Sequence, residues 1–147
     1  MEDRLVEHVY HAGELAVQAR ANVSEQAQNA SLLVHAQMPK VAREFVAHQR
    51  MAIIATRDKS GSVWASALTG PAGFMRAVDS ETLEIDAVPA QGDPLATNLH
   101  DGDLVGIFII ELSTRMRMKV KGRSELLGEG RFLVHAARGY SQCRKYI

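Results

Sequence analysis

Apolar and polar residues alternate most clearly between Met51 and Gly70. MAIIATRD is rich in Ile, Ala and Thr, KSGS supplies a turn, and VWASALTG carries Val, Trp and Leu, so this stretch predicts a β-hairpin. In the second arm Trp64, Ser66 and Leu68 share one face, and Val63, Ala65, Ala67 and Thr69 share the other. The latter face is mostly small side chains, which let something flat lie close to the backbone. Gly70-Pro71 then stops the ladder where main-chain groups stay free. A cofactor platform and a tightly packed barrel interior both fit this pattern.

The flanking chain reads as helices and further strands. Leu5, Val9, Ala12, Ala16 and Ala19 follow a helical period over residues 4–20, with a break expected near Gly13. Residues 21–36, rich in Asn, Gln and Ala, fit helix or strand. Pro39 suits a first helical turn, and Val41, Ala42, Phe45 and Val46 form one stripe that ends by Arg50. GPAGFMRAVDSE reads as an irregular connection. Leu83, Ile85 and Ala87 alternate with Glu84 and Asp86 in a half-buried strand. Asp93-Pro94 starts a short helix bearing Leu95 and Leu99, which Asp101-Gly102 ends. Leu104–Ile110 is apolar on both faces and belongs in the middle of a sheet. Residues 115–127 make another strand, and Phe132–Ala137 a strand or short helix.

One segment combines alternation with charge. Arg115, Arg117, Lys119, Lys121 and Arg123 occupy every second position, with Met116, Met118 and Val120 between them. Two readings stay open. The cations form a solvated face partly paired with Glu84, Asp86 or Glu111, or one or two of them hold a ligand phosphate, where Arg offers a bidentate fork. Nucleic acid is disfavoured, since 17 Lys and Arg balance 17 Asp and Glu, and aromatics for base stacking make up only 5% of the chain.

At 147 residues the chain predicts one domain. Its single Cys143 excludes an internal disulfide framework, and MEDRLVEH lacks a basic segment followed by an apolar run, so a reducing, cytoplasmic setting is expected. No apolar run is long enough to span a membrane as a helix. His8, His11 and Glu14 share a loose helical face, but without CxxC or HExxH no metal is expected. Ser66 and Thr69 lack a GxSxG elbow, and Gly61, Gly70 and Gly73 form neither a dinucleotide-binding loop nor a P-loop.

The order helix, hairpin, strand, short helix, buried strand and long basic strand resembles the split β-barrel of pyridoxamine 5'-phosphate oxidase-like FMN-binding proteins. Within that superfamily the chain resembles the predicted flavin-nucleotide-binding group, through HAGELAVQ (residues 11–18), VWASALTG (63–70) and CRKYI (143–147). The resemblance implies a mainly β fold with peripheral helices, a Greek-key split barrel. It would form a single domain with a helical extension over about residues 1–50 and a C-terminal arm from about 138.

It also implies a homodimer binding FMN between subunits, acting with a small-molecule redox partner and needing neither nucleic acid nor membrane. Carried over by position, Ser66, Ala67, Leu68 and Thr69 would contact the flavin. Ile85 with Asp86 would line it, and Arg117 with its neighbour Lys119 would face it. Arg115 and the C-terminal Lys145 are further phosphate candidates. Trp64 would stack on the ring or fill the core, and Tyr146 would close a partner's pocket or fray with the tail.

One departure stands out. The oxidases carry an Arg-Lys pair for the FMN phosphate where this chain has Asp93-Pro94-Leu95. Their C-terminal Arg and His pattern for the B6 substrate is also missing, so activity on pyridoxamine phosphate is not implied. The same barrel could instead serve as a flavin or haem carrier or sensor, or as a cofactor-free barrel that binds RNA or protein.

Overall fold

The computed structural model describes residues 9–142, which fall into two compact units, one ending at Val34 and the other starting at His35. The first contains α1 (Ala12–Arg20) and α2 (Ser24–Ser31). His11 caps α1: its Nδ1 accepts the Gly13 and Glu14 N–H groups at 3.0 and 3.2 Å, and Glu14 Oε2 accepts the His11 N–H at 2.8 Å. This reciprocal box satisfies amides that a helix start leaves orphaned. Gly13 sits in the first turn, and residues 9–11 are not helical, so the interruption expected near Gly13 falls at His11. The predicted start at residues 4–8, with His8, lies outside the described residues. Residues 24–31, open between helix and strand in the sequence, are helical, and the Tyr10 hydroxyl ties back to the Ala27 carbonyl at 3.1 Å.

The second unit runs α3 (Lys40–His48), β1 (Met51–Arg57), β2 (Val63–Thr69), β3 (Met75–Ala77), β4 (Thr82–Asp86), α4 (Leu95–Asn98), β5 (Leu104–Glu111), β6 (Met116–Gly128) and β7 (Arg131–Gln142). All seven strands join one antiparallel sheet in the order β2-β1-β5-β6-β7-β4-β3. β2 and β3 are consecutive in the chain yet form opposite edges. Seven flat strands would hold those edges about 29 Å apart at about 4.8 Å per gap. The link from Thr69 to Met75 reaches about 20–22 Å when fully extended. The sheet must therefore curl, and the result is a split β-barrel, mainly β with peripheral helices.

Curling gives the sheet an inside. Ala52, Ile54, Leu68, Met75, Leu83, Ile85, Val105, Ile107, Ile109, Val120 and Val134 fill it, joined by Met38 and by Val46 of α3. Ala42 and Phe45 pack against this core, whereas Val41, expected on the same stripe, is exposed. In the crossing link, a Cβ on Gly70 would lie 2.6 Å from Phe74 Cβ, so only glycine lets the chain turn here without displacing that ring.

Several elements differ from the sequence reading. β3 lies inside the stretch read as irregular, because three residues paired only to β4 are too few to show alternation. β4 is buried over Thr82–Ile85, not half-buried. Glu84 tolerates this because Arg76 and Arg131 approach its carboxylate at 2.6 and 3.9 Å from the strands on either side. Asp93 does cap α4, accepting the Leu95 N–H at 2.8 Å, but the helix stops at Asn98. β7 continues through residues 138–142, paired to β6, where a C-terminal arm was expected.

β6 and β7 carry a register shift at Lys121/Gly122, where the strands come unusually close. A Cβ on Gly122 would lie 2.2 Å from the His135 carbonyl oxygen, an overlap that only backbone separation relieves. Gly122→Ala is expected to lower stability by about 3 kcal/mol, the upper part of the overpacking range. Urea unfolding followed by circular dichroism checks this, and a change within error of zero would show that the bulge yields freely.

Candidate functional site

The outer surface of β2, β1, β5 and β6 gathers most of the sequence-predicted chemistry. Pairing register places Ala67, Ile53, Phe108, Lys119 and Tyr140 in one row across five strands. The next row runs Ala65, Ala55, Gly106, Lys121 and Arg138. The first row passes from a small residue through aliphatic and aromatic groups to a cation, and Lys119 Nζ stands 5.9 Å from the Phe108 ring centroid. Ile53, Phe108 and Ile110 are only partly covered. This strip makes the outer face the candidate ligand or partner surface.

The edge of this face is chemically open. At the ends of the hairpin the Gly70 N–H donates to the Arg50 carbonyl (3.1 Å) and the Asp58 N–H to the Ser62 carbonyl (2.9 Å). In an antiparallel ladder hydrogen-bonded pairs alternate with non-hydrogen-bonded ones, so the main-chain groups of Val63, Ala65, Ala67 and Thr69 turn away from β1. Among the described residues no strand pairs with that side of β2. The small side chains and the free main-chain donors and acceptors thus belong to the same residues.

The structure divides the predicted site residues. Ala67, Thr69, Arg117 and Lys119 share the outer face, the first two on β2 and the others on β6 with β1 and β5 between them. Ser66 and Leu68 point the other way, at 2% and 1% exposure, and Ile85 is fully buried in the core. Arg115 falls outside the cationic row. It sits in the turn before β6 with φ 59°, which breaks the alternation the sequence predicted. Trp64 does not fill the core but is half-exposed near the hairpin turn, its Nε1 donating to Asp58 Oδ2 at 2.9 Å. Lys145 and Tyr146 lie outside the described residues, as does Cys143. Of the acids considered as counter-charges, Glu84 is held by Arg76 and Arg131, and Glu111 accepts from the Thr114 hydroxyl. No cluster of three metal-ligating side chains occurs among the described residues.

Phe108 and Ile53 were missed as site residues, although a signal for them was present. Leu104–Ile110 is apolar on both faces, yet in the folded chain only Val105, Ile107 and Ile109 are buried. The sequence of β5 is written for a strand covered on two sides.

The family profile described as Pyridoxamine 5'-phosphate oxidase matches residues 38–143, most of the chain and all seven strands. The chain belongs to the pyridoxamine 5'-phosphate oxidase family. A solved HupZ of Group A Streptococcus aligns with this family member at a TM-score of 0.55 and 14% identity, over 71% of this chain and 93% of that one. A histidine-to-alanine variant of the same protein gives 0.53 and 14%, over 71% and 98%. At such identity these neighbours speak for the fold alone. Among curated proteins no match was found. No helix among the described residues of this oxidase-family chain is long and apolar enough to cross a membrane.

The hairpin turn beside the site is held by one carboxylate. Asp58 Oδ1 accepts from the Ser60 hydroxyl (2.6 Å) and from the Ser60 and Ser62 N–H groups, while Oδ2 accepts from Trp64. Because these bonds favour the ionised form, the Ser60 hydroxyl foremost and then the Trp64 indole, the pKa drops from 3.8 to about 2. A depressed pKa means that the carboxylate's grip is complete above about pH 4 and is lost as the pH falls toward 2. Trp64 is the single tryptophan. Its emission should titrate with a midpoint of about 2, not 3.8. Asp58→Asn should abolish the transition, and a midpoint at the ordinary value would show that these bonds do not form in solution.

Proposed function

We propose that this outer face binds FMN, its ring against Ala67, Ile53 and Phe108 and its phosphate toward Arg117 and Lys119. Two copies of the chain enclose it as a homodimer that works as a flavin-dependent oxidoreductase on a small-molecule redox partner. The observation that carries this reading is the row Ala67–Ile53–Phe108–Lys119, exposed at Ala67 and half-covered beyond it, apolar at one end and cationic at the other. Family membership supports the cofactor class.

The donor set suits the group. The free main-chain N–H and C=O groups of Ala65, Ala67 and Thr69 offer donors and acceptors to the polar edge of a planar heterocycle. Small side chains there let that edge approach. When bound, FMN supplies the electron transfer. The chain's part is to orient the ring, exclude water from one side of it and neutralise the phosphate. Asp93, at the position of the oxidases' phosphate-binding pair, is spent on capping α4. That duty therefore falls on β6, where Arg117 and Lys119 are both half-covered.

The purified protein should be yellow or take up FMN, with a spectrum bleached by dithionite. Arg117→Ala/Lys119→Ala should keep its circular dichroism spectrum and weaken FMN roughly tenfold or more, as expected from losing charged hydrogen bonds of about 1.5–3 kcal/mol each. Flavin fluorescence titration measures this, and unchanged affinity would remove both cations from the phosphate site. Repeated reduction by NAD(P)H and reoxidation by an acceptor would separate turnover from simple carriage.

A further inference from the structure

A second feature lies at the hairpin-turn end of the same sheet. A cavity of about 380 Å³ is floored by Ala55, Gly106, Val63 and Leu104, with Lys121 at its side. Another, of about 350 Å³, is surrounded by Arg57, Lys59 and Arg123. Arg57 and Leu104 line both, so the two adjoin. Each falls within the range of small-ligand pockets, about 300–1,000 Å³. One is apolar and the other is cationic.

The cations are exposed, and one of them is anchored. The Arg57 guanidinium lies across Gly61, 3.7 Å from where a Cβ would stand, and Arg123 Nη1 donates to the Gly102 carbonyl at 2.7 Å. Two acids, Asp58 and Asp103, share the lining but turn to their own loops. Asp58 is bound by Ser60, Ser62 and Trp64, and Asp103 Oδ2 accepts from the His100 N–H at 3.0 Å and lies 3.2 Å from its Nδ1. With three cations against two engaged carboxylates, the cavity keeps a positive excess that an oxyanion would satisfy.

We propose that the paired cavities form one binding site for an organic anion, its apolar body over Ala55 and Gly106 and its terminal oxyanion among Arg57, Lys59 and Arg123. The shared chemistry is an aromatic or aliphatic group carrying one phosphate or carboxylate. The site lies in the next row of the sheet, adjoining Ala67, Ile53 and Phe108 through Ala65, and is argued without flavin binding there.

The test is an amide NMR titration of the full chain with 1-naphthyl phosphate, 1-naphthoate and inorganic phosphate. Saturable shifts at Gly61, Gly102 and Gly106 are expected with at least one naphthyl anion, tighter by tenfold or more than with inorganic phosphate. Arg57→Gln/Lys59→Gln, which leaves Arg123 on its carbonyl, should weaken binding at least tenfold with the amide spectrum otherwise retained. Arg117→Ala/Lys119→Ala should bind as tightly as the parent. The reverse sensitivity would place the anion in the proposed flavin site and overturn this one, whereas loss of FMN binding alone would leave it standing. Absent or dispersed shifts would overturn it, and so would equal affinity for inorganic phosphate. Whichever of phosphate and carboxylate binds tighter identifies the head group.

Discussion

The span between Thr69 and Met75 is the constraint on which this structure depends. Two strands at opposite edges of a seven-stranded sheet are joined by a link too short to cross a flat sheet, so the sheet has to close toward itself. Closure creates one enclosed face, where Leu68, Met75, Ile85, Ile107 and Val134 are buried together, and one outer face that the chain covers only in part. Gly70 and the Gly122 bulge are the local concessions that allow it, each placed where a side chain would collide with a neighbour. The candidate site follows from the same closure, because β1 and β5 turn one side of an almost wholly apolar sequence away from the core.

Legibility in the sequence followed the strength of local patterning. The hairpin from Met51 to Thr69 was readable to within a residue, since its alternation and Gly-containing turn are both local signals. Asp93 as a cap was equally readable. β3 was not, being three residues whose only support is a partner distant in the chain. The helix start at Ala12 was less readable, because the cap there is a histidine and histidine is not among the usual caps.

The site was legible in composition and less so in direction. That cations alternate on β6 is visible from residues alone, but Arg115 adopts a left-handed conformation in the turn and leaves the row. Likeness to the family named Ser66, Leu68 and Ile85 as well as Ala67 and Thr69, yet the inside and the outside of a strand differ by one position. Register places Ala67 beside Ile53 and Phe108 and sends the Ser66, Leu68 and Ile85 side chains into the core. The sequence also held a clue in β5, whose two apolar faces exceed what one copy of the chain buries.

Lys119 gives this surface an unusual economy. Its ammonium stands over the Phe108 ring, so a half-covered aromatic has a charged and soluble group above it. A cation–ring contact at an exposed position is worth about 0.5–1 kcal/mol, little more than thermal energy. The side chain can swing aside at almost no cost and uncover a flat hydrocarbon surface. While it stays in place the ring is covered, and once it moves the same ammonium is left at the rim of the surface it has uncovered.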